Sequence, residues 1–210
     1  MTTSKITDSK KQSSIIWLII LSAIFIISLI FVAGQLRFFT LDPEILGRYW
    51  EIKWWLYGHI ASGILALLIG PFQFWNKFRI SYAKAHRRLG KTYLISILIG
   101  VISCCYLAWA TTATDIHWTF AVSLQCLGIL WFFTALMAYR AIRQRRIQIH
   151  KEWMIRSYII TFAFVTFRAL LGLGFAFELG NLTEIAPTAV WLSWTIPLFT
   201  TEIILQWNKK

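Results

Sequence analysis

The sequence predicts an all-α membrane protein of six transmembrane helices, in which spans two to five form a central four-helix bundle and both termini are cytoplasmic. Three observations carry that prediction. Of the 210 residues, 58 % are hydrophobic and 17 % aromatic, against only 14 % charged, a balance far from that of a soluble domain. Apolar runs of about 18 or more residues recur, each long enough to cross a hydrocarbon core about 30 Å thick. Lysine and arginine are also sorted, with 17 of the 21 falling in alternate connecting segments. That is the signature of a cytoplasmic face.

Residues 1–14 form a polar tail carrying Lys5, Lys10 and Lys11, and residues 15–210 form a single membrane domain. The run Ile15 to Ala33 exceeds the apolar core of a usual signal peptide and reads as a retained first span. A cleaved signal peptide ending near Ala33 is the alternative. A mixed-charge loop from Gln35 to Lys53 leads to Trp50, Trp54 and Trp55, an aromatic cluster at interface depth. Span two is read at Trp54–Trp75 with Pro71 inside, span three at Thr92–Ala110, and span four at His117–Tyr139. Span five is read at Ser157–Leu179, and span six at Thr188–Trp207 with Pro197 inside. Short turns at Thr111–Ile116 and Gly180–Pro187 close hairpins on the outer side.

The net charge of +12 is thus topological. A basic face against anionic lipid accounts for it without nucleic acid, and the location implied is a cell membrane, such as a bacterial inner membrane. Cys104, Cys105 and Cys126 lie within spans as small apolar side chains, so no disulfide framework is expected. The sequence holds no phosphate loop, HExxH or Ser-His-Asp pattern, so no soluble-type catalytic residue is assigned.

The topology sorts the four histidines into two layers. His59 and His117, on spans two and four, lie toward the outer face. His86 and His150, just ahead of spans three and five, lie at the cytoplasmic face. His59 and His86 each precede a glycine by four residues (Gly63 and Gly90), one helical turn that leaves room for a flat group. Imidazoles from two helices are a common axial ligand pair for haem iron. Arg87, Arg88, Lys91 and Lys151 would suit the propionates. Depth argues in part against this, since His86 and His150 fall roughly 22–25 Å from their span centres at 1.5 Å per residue. On the competing reading they are interfacial side chains touching lipid phosphate or capping helices.

Two further charges sit within spans. Arg168 near the middle of span five and Glu202 in span six form an expected intramembrane ion pair, read either as a brace between the spans or as a proton or anion site. Gln73, Gln125 and Glu178 are expected to hydrogen-bond between helices.

Six spans with one histidine on each of the four central helices, paired two-with-four and three-with-five, resemble the cytochrome b-561 class. That likeness implies haem b, transmembrane electron transfer, and a quinone or other donor and acceptor. Gly70-Pro-Phe-Gln-Phe74, His86-Arg-Arg-Leu-Gly-Lys91, His150-Lys-Glu-Trp-Met-Ile-Arg156 and Thr166-Phe-Arg168 resemble an uncharacterised bacterial membrane family, domain of unknown function 2306. That second likeness implies the fold and no activity. The alternatives are a non-redox membrane protein that binds a partner or lipid, and a small transporter built on Arg168, Glu202, Pro71 and Pro197, with no clear inverted repeat to support it.

Overall fold

A computed structural model describes residues 2–112, 116–207 and 209, with the backbone alone for residues 2–14 and 112. Six long helices cross the membrane. They are α1 (Thr2–Gln35), α2 (Lys53–Phe74), α3 (Ala83–Leu107), α4 (Trp118–Arg143), α5 (Ile147–Ala176) and α6 (Leu182–Trp207). Each contains a stretch long and apolar enough to span. Part of the turn expected at Thr111–Ile116 lies outside the described residues.

Hydropathy places the spans correctly and their ends less well. Helix α3 begins at Ala83 and α5 at Ile147, nine and ten residues ahead of the apolar runs. The extra turns carry Lys84, Arg87, Arg88, Lys91, Lys151 and Arg156. These are good helix formers, and all but the buried Arg156 can reach water on long stems from a helix that continues into the headgroup zone. Helix α6 likewise begins at Leu182, so Pro187 lies inside it and not in the preceding turn.

Helices α2 and α3 pack as one hairpin and α4 with α5 as another. Contacts of α3 with α4 and of α2 with α5 close the four-helix core, while α1 lies against α2 and α6 against α4 and α5. Small residues permit the close approaches. A Cβ placed on Gly100 of α3 would come within 2.9 Å of the Trp131 ring on α4 and 3.0 Å of the Ser62 hydroxyl on α2.

At the middle of the core is a polar knot. Tyr93, Trp131, Ser157 and Thr161 are all essentially inaccessible. The Thr161 hydroxyl donates to the Ser157 carbonyl (2.9 Å), so its oxygen accepts from Trp131 Nε1 (2.8 Å) and from the Tyr93 hydroxyl (2.9 Å). Tyr93 in turn accepts from the Ser157 hydroxyl (3.0 Å). Four side chains on α3, α4 and α5 thereby satisfy one another where no water or lipid can. We expect Thr161→Val to cost about 1–2 kcal/mol, because it strands the buried Trp131 N–H. Ser157→Ala costs less, since Tyr93 keeps its bond to Thr161. Thermal unfolding of the two variants in one detergent ranks them.

Candidate functional site

His86 and His150 both stand at the basic end of the bundle, within electrostatic reach of one another. Each is the fourth residue of its helix, so His86 stands roughly 14 Å and His150 roughly 17 Å from the helix middle at 1.5 Å per residue, at the edge of the hydrocarbon. The early starts of α3 and α5 therefore supply the ordered helix that the apolar runs alone did not.

His150 Nδ1 lies 2.9 Å from the Ala138 carbonyl of α4. A carbonyl can only accept, so Nδ1 carries the proton and the neutral ring keeps its lone pair at Nε2. His86 Nδ1 is buried and has no hydrogen-bond partner among the described residues. Arg79, His150 and Arg87 lie within electrostatic reach of His86.

Two details correct the sequence reading here. The notch beside Gly90 is filled, since a Cβ there would come 3.2 Å from Gln73 Oε1, and Gln73 Nε2 donates to the His86 carbonyl (3.4 Å). Arg88 also parts from the histidines. Two residues on from His86 it points about 200° away around the helix, and it lines an outward groove with Lys84. Arg87 remains beside His86.

The outer pair is not assembled. His117 is exposed and stands one residue ahead of α4. Its Nδ1 accepts from the Thr119 backbone N–H (3.3 Å) and lies 2.7 Å from the Thr119 hydroxyl. The ring thus caps the first turn of its own helix and does not face the bundle. His59 instead lies between α3 and α5, with Nδ1 3.5 Å from the Gly100 carbonyl and its ring edge-to-face with Phe164 at 5.8 Å. The notch at Gly63 is open, with nothing within 4 Å of a Cβ built there.

Glu202 pairs with Arg156 and not with Arg168. The guanidinium Nε and Nη2 grip the two carboxylate oxygens, the second at 2.9 Å. The register of the α5–α6 hairpin decides this. Arg156 lies twenty residues before Ala176 and Glu202 twenty after Leu182, so the antiparallel helices bring them level. Arg168, eight residues before Ala176, stands well away, about 10 Å from the middle of α5. It lies near the Phe167 ring (5.9 Å) and within electrostatic reach of Arg37 and Tyr49. Around Arg156 the charges continue, with Glu152 Oε2 3.9 Å from its Nη1 and Lys209 Nζ 2.8 Å from the same oxygen. The sequence reading overlooked this cluster, although counting outward from the hairpin turn would have found it.

The expected interhelical roles of Gln73 and Gln125 hold. Gln125 donates to Cys105 Sγ (3.0 Å) and accepts from Trp109 Nε1 (3.2 Å). Among the described residues no three His, Cys, Asp or Glu side chains gather as a metal cage.

Residues 56–205 match the family described as predicted membrane protein (DUF2306). The chain belongs to that family. The DUF2306 match spans all four histidines, the polar knot and the Arg156–Glu202 pair, and leaves α1 outside it. No curated protein and no solved structure matches the chain.

Proposed function

We propose that this multi-pass membrane protein carries electrons through a single b-type haem held by His86 and His150 at the basic end of the bundle. The observation that carries the reading is the His150–Ala138 hydrogen bond. A ligating histidine commonly donates its other ring N–H to a carbonyl, which fixes its tautomer and orientation. His150 is held in that way, with the lone pair left at Nε2 and His86 within electrostatic reach. The unpartnered, buried Nδ1 of His86 adds support, because a polar atom left so is costly unless a ligand settles the ring's environment.

Haem bound there would supply one-electron chemistry between ferric and ferrous iron. The chain's own residues would do the rest. Ala138 aims the His150 ring, Arg87 and Lys151 offer positive charge to propionates, and the basic face would attract an anionic electron donor. His117 has no part in this reading, which keeps one layer of the cytochrome b-561 likeness and gives up the other. A quinone or another small carrier is the partner class in view.

Substitution tests the reading. In protein purified from haem-replete cells, His86→Gln and His150→Gln each abolish the reduced-minus-oxidised absorbance signal, while His117→Gln leaves it unchanged. A signal that persists in both inner variants contradicts the proposal.

A further inference from the structure

The elbow between α2 and α3 combines two features. The short helix Asn76–Ser81 and the first turns of α3 carry Lys77, Arg79, Lys84, Arg87, Arg88 and Lys91, and no aspartate or glutamate occurs anywhere from residue 52 to residue 114. This cluster therefore has no acidic neighbour in its own segment, unlike the start of α5, where Glu152 lies 3.9 Å from Arg156. Beside these cations runs an outward groove with apolar walls, lined by Ile80, Tyr82, Ala83, Lys84, Arg88 and Leu89. Ile80 is 69 % exposed and Tyr82 63 %.

We infer that this groove binds one anionic phospholipid, with the phosphate on Lys84 and Arg88 and an acyl chain along Ile80 and Leu89. Lys84 and Arg88 are one turn apart on the same helix face, close enough to hold a single phosphate between them. The groove lies at the membrane rim, where Trp75 and Tyr82 flank it as interfacial aromatics. An occupant with only charge would leave Ile80 and Tyr82 uncovered, and one with only hydrocarbon would leave the cations unanswered. A phospholipid with net negative charge meets both demands. The inference does not rest on the haem reading, because Arg88 and Lys84 point away from His86.

The test is lipid titration onto the delipidated full-length protein, read by native mass spectrometry. Phosphatidylglycerol binds at least about tenfold more tightly than phosphatidylcholine, each surface cation contributing about fivefold. Lys84→Gln/Arg88→Gln removes most of that preference, whereas Arg143→Gln/Arg145→Gln, which changes two exposed cations of the α4–α5 segment, retains it. Ile80→Ser weakens both lipids alike. Equal binding of the two lipids overturns the inference, as does equal loss in both charge variants, which signals only the diffuse potential of the face. Displacement of the lipid by millimolar inorganic phosphate, or an Ile80→Ser variant that binds as before, overturns the acyl-chain assignment and leaves a bare phosphate site.

Discussion

Arg156→Leu lowers the stability of the folded protein by about 2–3 kcal/mol. Arg156 is 8 % exposed and holds Glu202 through two contacts while it stacks on Trp153 at 4.7 Å. Removing one partner of a buried ion pair leaves the other without compensation, which costs about 3–5 kcal/mol when both are fully buried. Here the loss falls below that range, because the Glu202 side chain is 36 % exposed and Lys209 still reaches Glu152. Glu202→Gln keeps the shape and one acceptor, and costs less. The double variant Arg156→Leu/Glu202→Leu regains most of the loss, since it removes both charges together. Thermal unfolding in detergent micelles distinguishes these outcomes, and an Arg156→Leu protein that melts like wild type contradicts the brace.

Gly70→Ala is the other large effect, at about 3 kcal/mol. Its new methyl would overlap the Tyr158 ring, and that ring has nowhere to go. Tyr158 is 6 % exposed, donates its hydroxyl to the Leu67 carbonyl (3.1 Å) and packs on Phe74 at 5.5 Å. Overpacking a tight core forces rotamers or backbone to move, and helices α2 and α5 would have to part. Trimming the obstacle should rescue the variant, so Gly70→Ala/Tyr158→Leu is expected to melt above Gly70→Ala. Gly63→Ala, where a Cβ meets nothing within 4 Å, serves as the control and stays close to wild type.

What the sequence made legible follows from which physical signal is local. Six apolar runs state the number of crossings, because a backbone in hydrocarbon must satisfy itself within a helix. The helix ends were harder to place, since Ala83–Lys91 and Ile147–Arg156 are charged yet helical, and hydropathy sees the charge and not the conformation. The Arg168–Glu202 pairing failed for a related reason. It compared depths measured from blurred span ends, whereas the hairpin turn at residues 177–181 sets the register that brings Arg156 to Glu202.

The candidate site divides along the same line. His86 and His150 could be placed at one end from charge sorting alone. The capping role of His117 lay in its neighbours, because a polar side chain just ahead of a helix turns to the first free N–H groups, here that of Thr119. The knot of Tyr93, Trp131, Ser157 and Thr161 left only a faint trace, the four-residue spacing of Ser157 and Thr161. A hydroxyl gains its meaning from the helix opposite, which a single sequence does not name.

The haem-to-protein ratio of the purified wild-type chain, measured by pyridine haemochrome against total amino acid, tests the central claim most directly. One haem per chain is the result expected if His86 and His150 are the ligand pair. Two per chain would restore the outer layer, and none from haem-replete cells would remove the electron-carrier reading altogether.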